Sequence, residues 1–250
     1  MKQSKLVAYL DDYLCIKDFE GVDISLNGLQ VGGEEKEISH VAFAVDACRQ
    51  SIERAIVSGA DMLVVHHGLF WGKPIALVGS HGKRVKAMLD GNLDLYAAHL
   101  PLDAHPEVGN NIAMAKVLGL EGIEPFSLYK GKAIGVVGML KTPDDLDGIA
   151  EKLGFSDPKK LDFNKGPIRK VAIVSGEGAD DIYEAKATGC DLLITGESRH
   201  STYHWCEEEE ISMLCGGHYA TEVFGVKELA LHLMNELQLV VSFIDVPTGL

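Results

Sequence analysis

No stretch of the chain reaches the roughly 18 consecutive apolar residues of a membrane-spanning helix, and no two cysteines form a Cys-x-x-Cys pair. The first absence excludes a bilayer-spanning helix. The five cysteines (Cys15, Cys48, Cys190, Cys206 and Cys215) are scattered and odd in number, so neither a disulfide frame nor a thiolate zinc site is indicated. They read as reduced packing residues. Dense lysine or arginine clusters are missing too. The 23 basic residues face 37 acidic ones, a formal charge of −14, which repels a phosphate backbone and argues against nucleic acid as a main partner. The N-terminus MKQSKLVAYLDDYL carries acids inside its apolar pattern, unlike a signal peptide, so a cytoplasmic protein is expected. There is no low-complexity linker, which makes two halves packed as one body the expected organisation. The acidic run Glu207 to Glu210 reads as a solvated face.

What is present is an ordinary globular composition, 46% apolar, with an internal repeat. VAFAVDACRQSIERAIVSGADMLVVHHGLF (41 to 70) aligns without a gap on VAIVSGEGADDIYEAKATGCDLLITGESRH (171 to 200). Val41 and Val171, Ile52 and Ile182, Ala55 and Ala185, Gly59 and Gly189, Asp61 and Asp191, and Leu63 and Leu193 coincide. Each copy runs from a β-branched segment through helical spacing and a glycine stop to a second apolar run, which predicts a parallel βαβ unit made twice.

The next elements repeat more loosely. NLDLYAAHLPLD ends an apolar run at His99 with Asp103 four residues on, and ISMLCGGHYATE does so at His218 with Glu222 four residues on. Helical patterns follow both (Ile112, Ala115, Leu118; Val226 to Leu237), and another helix is expected from about Lys5 to Leu14. The junction from Phe126 to Lys170 is expected to hold a strand from Ala133 to Leu140, a turn at Thr142-Pro143-Asp144 and a helix from Leu146 to Leu153.

Histidines and carboxylates thus collect at the carboxyl edge of predicted parallel sheets, where ligands bind in such folds. Imidazole with carboxylate suits Zn, Fe, Mn or Co. His66, His67, Asp103, His218 and Glu222 exceed what one open tetrahedral site takes, and two metals sharing a carboxylate fit the number. Gly68 is expected to let the chain turn so that the adjacent imidazoles diverge. The residues alone leave another account open: His66 and His67 bonded to loop carbonyls, with Asp103 and Glu222 completing helix starts.

VDISLNGLQVG (22 to 32), VVHHGLFW (64 to 71), AAHLPLDAHPEVGNN (97 to 111), LLITGE (192 to 197) and GGHYATE (216 to 222) arrive in the order seen in the NIF-three-like, YbgI-like proteins. The chain resembles this family nearly end to end. Its members are often labelled GTP cyclohydrolase 1 type 2 homologues. The resemblance implies two similar α/β lobes packed face to face, here 1–125 and 126–250 with no inserted domain, and a dinuclear metal centre in the cleft between them. It also implies a homohexameric ring with the metal centres opening inward. The implied ligands are His66, His67, Asp103, His218 and Glu222, with Glu222 bridging two divalent ions of Zn, Fe or Mn.

His99 and Glu197 are the expected catalytic residues. The first would orient a ligand or shuttle protons; the second, counterpart of His67 in the repeat, would touch metal-bound water or substrate. Packing and a lobe-to-lobe hydrogen bond are their structural alternatives. Asn27 and Gln30 are expected to brace the cleft or an interface, while His105 and His200 are expected to play no part. Ser175-Gly176-Glu177-Gly178 is a weak phosphate-cradle candidate. Two functions remain open. One is a hydrolase acting on a small molecule through metal-bound hydroxide, with ring opening at a purine carbon compatible. The other is a non-catalytic metal-handling or regulatory ring.

Overall fold

The repeated segment forms the same hydrogen bonds twice. In the computed structural model, which describes residues Met1–Leu250, Asp61 Oδ2 accepts from the main-chain N–H groups of Ser39 and His40 at 2.8 and 3.0 Å. Asp191 Oδ2 accepts from Arg169 and Lys170 at 2.8 and 2.9 Å. Each aspartate follows a glycine-stopped helix, with Gly59 at φ 74° and Gly189 at φ 76°, a left-handed stop that glycine adopts without steric cost. The duplication read from the sequence therefore extends to main-chain wiring.

In chain order the first elements are α1 (Gln3–Tyr13), β1 (Gly28–Val31), β2 (His40–Asp46), α2 (Arg49–Val57), β3 (Met62–His67), α3 (Gly79–Asp90), β4 (Asp94–Ala97) and the single turn α4 (Leu100–Asp103). The next are α5 (Asn110–Leu118), β5 (Leu120–Tyr129), β6 (Lys132–Asp144), α6 (Leu146–Leu153), β7 (Lys159–Leu161), β8 (Ile168–Val174) and α7 (Ile182–Ala187). Then come β9 (Leu192–Thr195), α8 (Thr202–Glu209), β10 (Ser212–Cys215), α9 (His218–Leu237) and β11 (Val240–Phe243).

One sheet has the order β1-β4-β3-β2-β11 and the other β5-β6-β8-β9-β10-β7. β4, β3 and β2 are parallel, as are β10, β9 and β8. Their near-continuous apolar sequences follow from burial on both faces: all four residues of β4, β9 and β10 are buried. An antiparallel strand flanks each set, β1 beside β4 and β7 beside β10.

The chain divides into two compact units, Met1–Val108 with Gly225–Val246, and Gly109–Phe224 with Pro247–Leu250. These are not the sequence halves 1–125 and 126–250. β11 pairs with β2 and so joins the first sheet. Asn111 on α5 donates to Ile134 O and accepts from Ser175 N, which ties α5 to the second sheet. The first unit's core gathers Ile52, Leu63, Met88 and Leu95. The second has two clusters, one with Ile149, Val171 and Leu214 and one with Ile182, Leu193 and Met213.

One local expectation is revised. Thr142-Pro143-Asp144 is no turn, because β6 continues through Asp144; a register irregularity between Met139 and Asp144 accommodates the proline. α6 spans the expected residues, with Asp145 capping Gly148 N–H at 2.8 Å. All five cysteines are free thiols. No helix is long and apolar enough to cross a membrane.

Candidate metal centre

β3 delivers His66 and His67 to the carboxyl edge of the first sheet, and the turn after β4 delivers His99. Each imidazole is held through Nδ1. His66, with no exposed surface, donates to Ala98 O at 3.0 Å. A carbonyl oxygen only accepts, so the proton sits on Nδ1 and the lone pair of the neutral ring on Nε2. His67 Nδ1 donates to Asp46 Oδ1 at 2.9 Å and His99 Nδ1 to Asp23 Oδ1 at 3.0 Å, which fixes the same tautomer twice more. The ligand atoms of the three histidines lie within 4.8 Å of one another. Asp103, at the end of α4, brings Oδ2 to 3.6 Å from His66 Nε2.

Asp23 accepts from His99, from Asn27 Nδ2 at 2.9 Å, and from the N–H groups of Ser25 and Leu100 at 2.9 and 3.0 Å. Burial pushes its carboxyl up, but the His99 hydrogen bond and charge, then Asn27 and Ser25, prevail and hold it at about 2. Asn27 Oδ1 also accepts from His99 N–H at 2.8 Å. Gln30 Oε1 accepts from Leu69 N–H at 2.7 Å. A Cβ on Gly68 would meet that Gln30 amide at 2.3 Å, and Gly68 is not at positive φ. The glycine thus makes room for a brace instead of relaxing the backbone, contrary to expectation.

In the second unit His218 is the first residue of α9. Its Nδ1 donates to Glu197 Oε1 at 2.5 Å, and Nε2 lies 3.1 Å from Glu222 Oε1, one helical turn on. The Glu222 hydrogen bond leads in raising this imidazole to about 9, against burial, with Glu197 contributing. Two glycines make space. A Cβ on Gly176 would lie 2.5 Å from Glu222 Oε1, and one on Gly196 would lie 2.7 Å from His218 Cα.

Strand register corrects the pairing of His99 with His218. Ala97 stands opposite Val65, and Cys215 stands opposite Thr195, the repeat counterpart of Val65. His99 therefore corresponds to Gly217, and His218 to Leu100, the first residue of α4. The phosphate-cradle candidate also fails. Ser175, Gly176 and Gly178 commit their N–H groups to Asn111, Thr221 and Thr195 at 2.7, 3.0 and 2.9 Å. His105 bonds Tyr13 O at 2.9 Å and His200 is exposed.

Asp23 and Asp46 are the site residues that sequence reasoning missed. Asp23 stands in the first quoted motif, VDISLNG, and Asp46 ends the repeated strand β2. Imidazoles anchored through Nδ1, with carboxylates beside them, are the donor set of a divalent transition-metal site.

The Duf34/NIF3 (NGG1p interacting factor 3) family model matches residues 1–248. The chain belongs to this family. A Pyrococcus abyssi protein named GTP cyclohydrolase 1 type 2 homolog is 45% identical with both chains fully covered. One of the same name from Deinococcus radiodurans is 43% identical over 99% of this chain and 94% of its own. Among solved structures, TTHA1606 from Thermus thermophilus superposes with a TM-score of 0.90 at 42% identity, both chains fully covered. Protein ybgI gives 0.90 at 32% with the same coverage. Membership agrees with the His/Glu groups described above, which makes this a metal-binding protein of the Duf34/NIF3 family.

Proposed function

We propose that the protein binds two divalent transition-metal ions per chain through His66, His67, Asp103, His218 and Glu222 and hydrolyses a small-molecule substrate. One observation carries the reading: His66 and His67 each have the Nδ1 proton committed to a protein acceptor, which leaves the Nε2 lone pair for a ligand, and His218 is anchored through Nδ1 in the same way with Nε2 beside the Glu222 carboxylate. Bound cations of this kind acidify water and polarise a carbonyl or phosphoryl oxygen. His99 then has the role of holding a proton at Nε2, with Asp23 fixing the ring. Glu197 orients His218.

The relatives' shared name makes ring opening at a purine carbon one reaction to test within this class. Hydrolase and metal-handling scaffold differ in turnover. A panel of phosphoester, nucleotide and amide substrates is to be screened with metal-loaded wild type and His67→Ala side by side. Turnover lost in the variant supports the hydrolase; equal inertness throughout removes it and favours the scaffold.

A homohexameric ring in the cytoplasm completes the proposal. Ile24, Leu26, Leu77 and Val78 are 59, 53, 57 and 71% exposed, apolar side chains that association would take out of water. A monomer by light scattering would refute the ring.

A further inference from the structure

We propose that a cavity between α2 and α3 in the first unit binds the phosphate group of a small phosphate monoester. The site uses none of the histidines and does not rest on the metal reading.

Strand direction places the cavity. β2 and β3 run parallel, so the helices that follow them, α2 and α3, both start at the carboxyl edge of the sheet, where ligands bind in such folds. Between the two helices lies a space of about 560 Å³, with Ile52 and Ala87 as its apolar wall and Arg49, Lys83 and Arg84 as its cations. That volume suits a small molecule.

Three cations share this wall in a chain whose formal charge is −14. Glu53 is the single acid among the lining residues, 3.8 Å from Arg49 and with its side chain 60% exposed, which leaves the cavity with a net of two positive charges. A phosphate monoester, at about −1.5 to −2 near neutral pH, neutralises them. No carboxylate pairs with Lys83 or Arg84. The one hydrogen bond that Arg84 makes is from Nη1 to Ala47 O at 3.3 Å, and its Nε is withdrawn from water without an acceptor. The guanidinium is thus held at the wall at a cost, with its charge uncompensated.

α3 adds an open N-terminus. Its N-cap, Val78, offers no side-chain acceptor and its first turn has no acid, whereas α2 is closed by reciprocal Cys48 and Ser51 bonds and α6 by Asp145. Gly79 and Ser80, the first two residues of α3, line the cavity, so this uncapped turn faces the same anion as the cations do.

The second copy of the repeat lacks these features. α8 stands between β9 and β10 as α3 stands between β3 and β4, yet TYHWCEEE contains no lysine or arginine, while α3 carries Lys83, Arg84 and Lys86. Opposite Arg49 the second copy has Ala179, followed by Asp180 and Asp181. One scaffold made twice is cationic here in one copy and acidic in the other, so folding alone does not call for the cations.

The test uses the full chain stripped of metal with a chelator, because bound cations would also attract phosphate. Calorimetric titration at low ionic strength compares glycerol phosphate, adenosine monophosphate and inorganic phosphate. Both esters are expected to bind saturably and more tightly than inorganic phosphate. Arg84→Gln should weaken ester binding by about 10-fold or more. Ser80→Asp should weaken it as well while keeping the fold, since an acid in the first turn favours the helix; circular dichroism and thermal melting of both variants check this. Lys141→Gln removes the same charge from β6 and should leave affinity unchanged. No saturable binding of either ester to wild type overturns the proposal, as does unchanged affinity in Arg84→Gln and Ser80→Asp. An equal loss in Lys141→Gln would reduce the effect to net charge and overturn the site. Inorganic phosphate binding as tightly as the esters would overturn the monoester assignment.

Discussion

Asp46 stands opposite His67 across the parallel strands β2 and β3 and accepts its Nδ1 proton at 2.9 Å. Main-chain register sets that contact, so a carboxylate at the end of one strand determines which nitrogen its neighbour offers. Asp46→Ala is expected to weaken divalent-metal affinity about 10- to 100-fold, the usual effect of losing such a partner, while leaving the fold intact because the side chain is half-exposed. Competition with a chromogenic chelator measures the first expectation and thermal melting of metal-free protein the second. Wild-type affinity in the variant would remove Asp46 from the metal centre.

The glycine opposite Glu222 is more demanding. Gly176 has φ 61° and a Cβ there would sit 2.5 Å from Glu222 Oε1, so alanine costs left-handed strain of about 1–2 kcal/mol and displaces Glu222, a proposed ligand. Gly59, at φ 74° with open space around its missing Cβ, carries the strain alone. Gly176→Ala should therefore lose stability and bound metal, and Gly59→Ala only stability. Elemental analysis of the two variants separates the effects; equal metal content in both would contradict the proposed part of Glu222 in metal binding.

The repeat was visible because Asp61 and Asp191 do the same main-chain work, each collecting two N–H groups at a strand start. The histidine-bearing edge followed from apolar runs ending at His67 and Ala97. Short flanking strands were not legible: β1, β7 and β11 span 4, 3 and 4 residues and owe their existence to partners distant in sequence. Asp23 was hidden for a similar reason, since it meets His99 across 76 residues. The pairing of His99 with His218 misled because both precede a carboxylate by four residues, a spacing that any helix start shares; only strand register separates them.

Asp61→Ala and Asp191→Ala test whether the duplicated aspartates are energetically equivalent. Each change strips two main-chain donors of their acceptor, and each should cost about 1–3 kcal/mol. Urea denaturation of the two variants, compared at the same pH, reads the result. Loss at one position without the other would show that the copies have diverged in stability despite shared geometry.

Asp181 provides the pH test. Burial raises its carboxyl from 3.8 to about 6; the hydrogen bond from Ser127 Oγ opposes this, while Glu184 and Asp180 add to it. The folded chain therefore binds this proton more tightly than the unfolded chain does. Its contribution is most favourable below 3.8, declines as pH rises from 3.8 to 6, and is a constant penalty above that. Asparagine keeps an oxygen for the Ser127 hydroxyl and cannot ionise. Asp181→Asn should consequently stabilise the protein by about 1–2 kcal/mol at pH above roughly 7, after allowance for partial solvation, and the gain should vanish near pH 4. Denaturation curves for wild type and variant across that range give the difference directly, so parallel stability profiles would show that Asp181 is as acidic folded as unfolded.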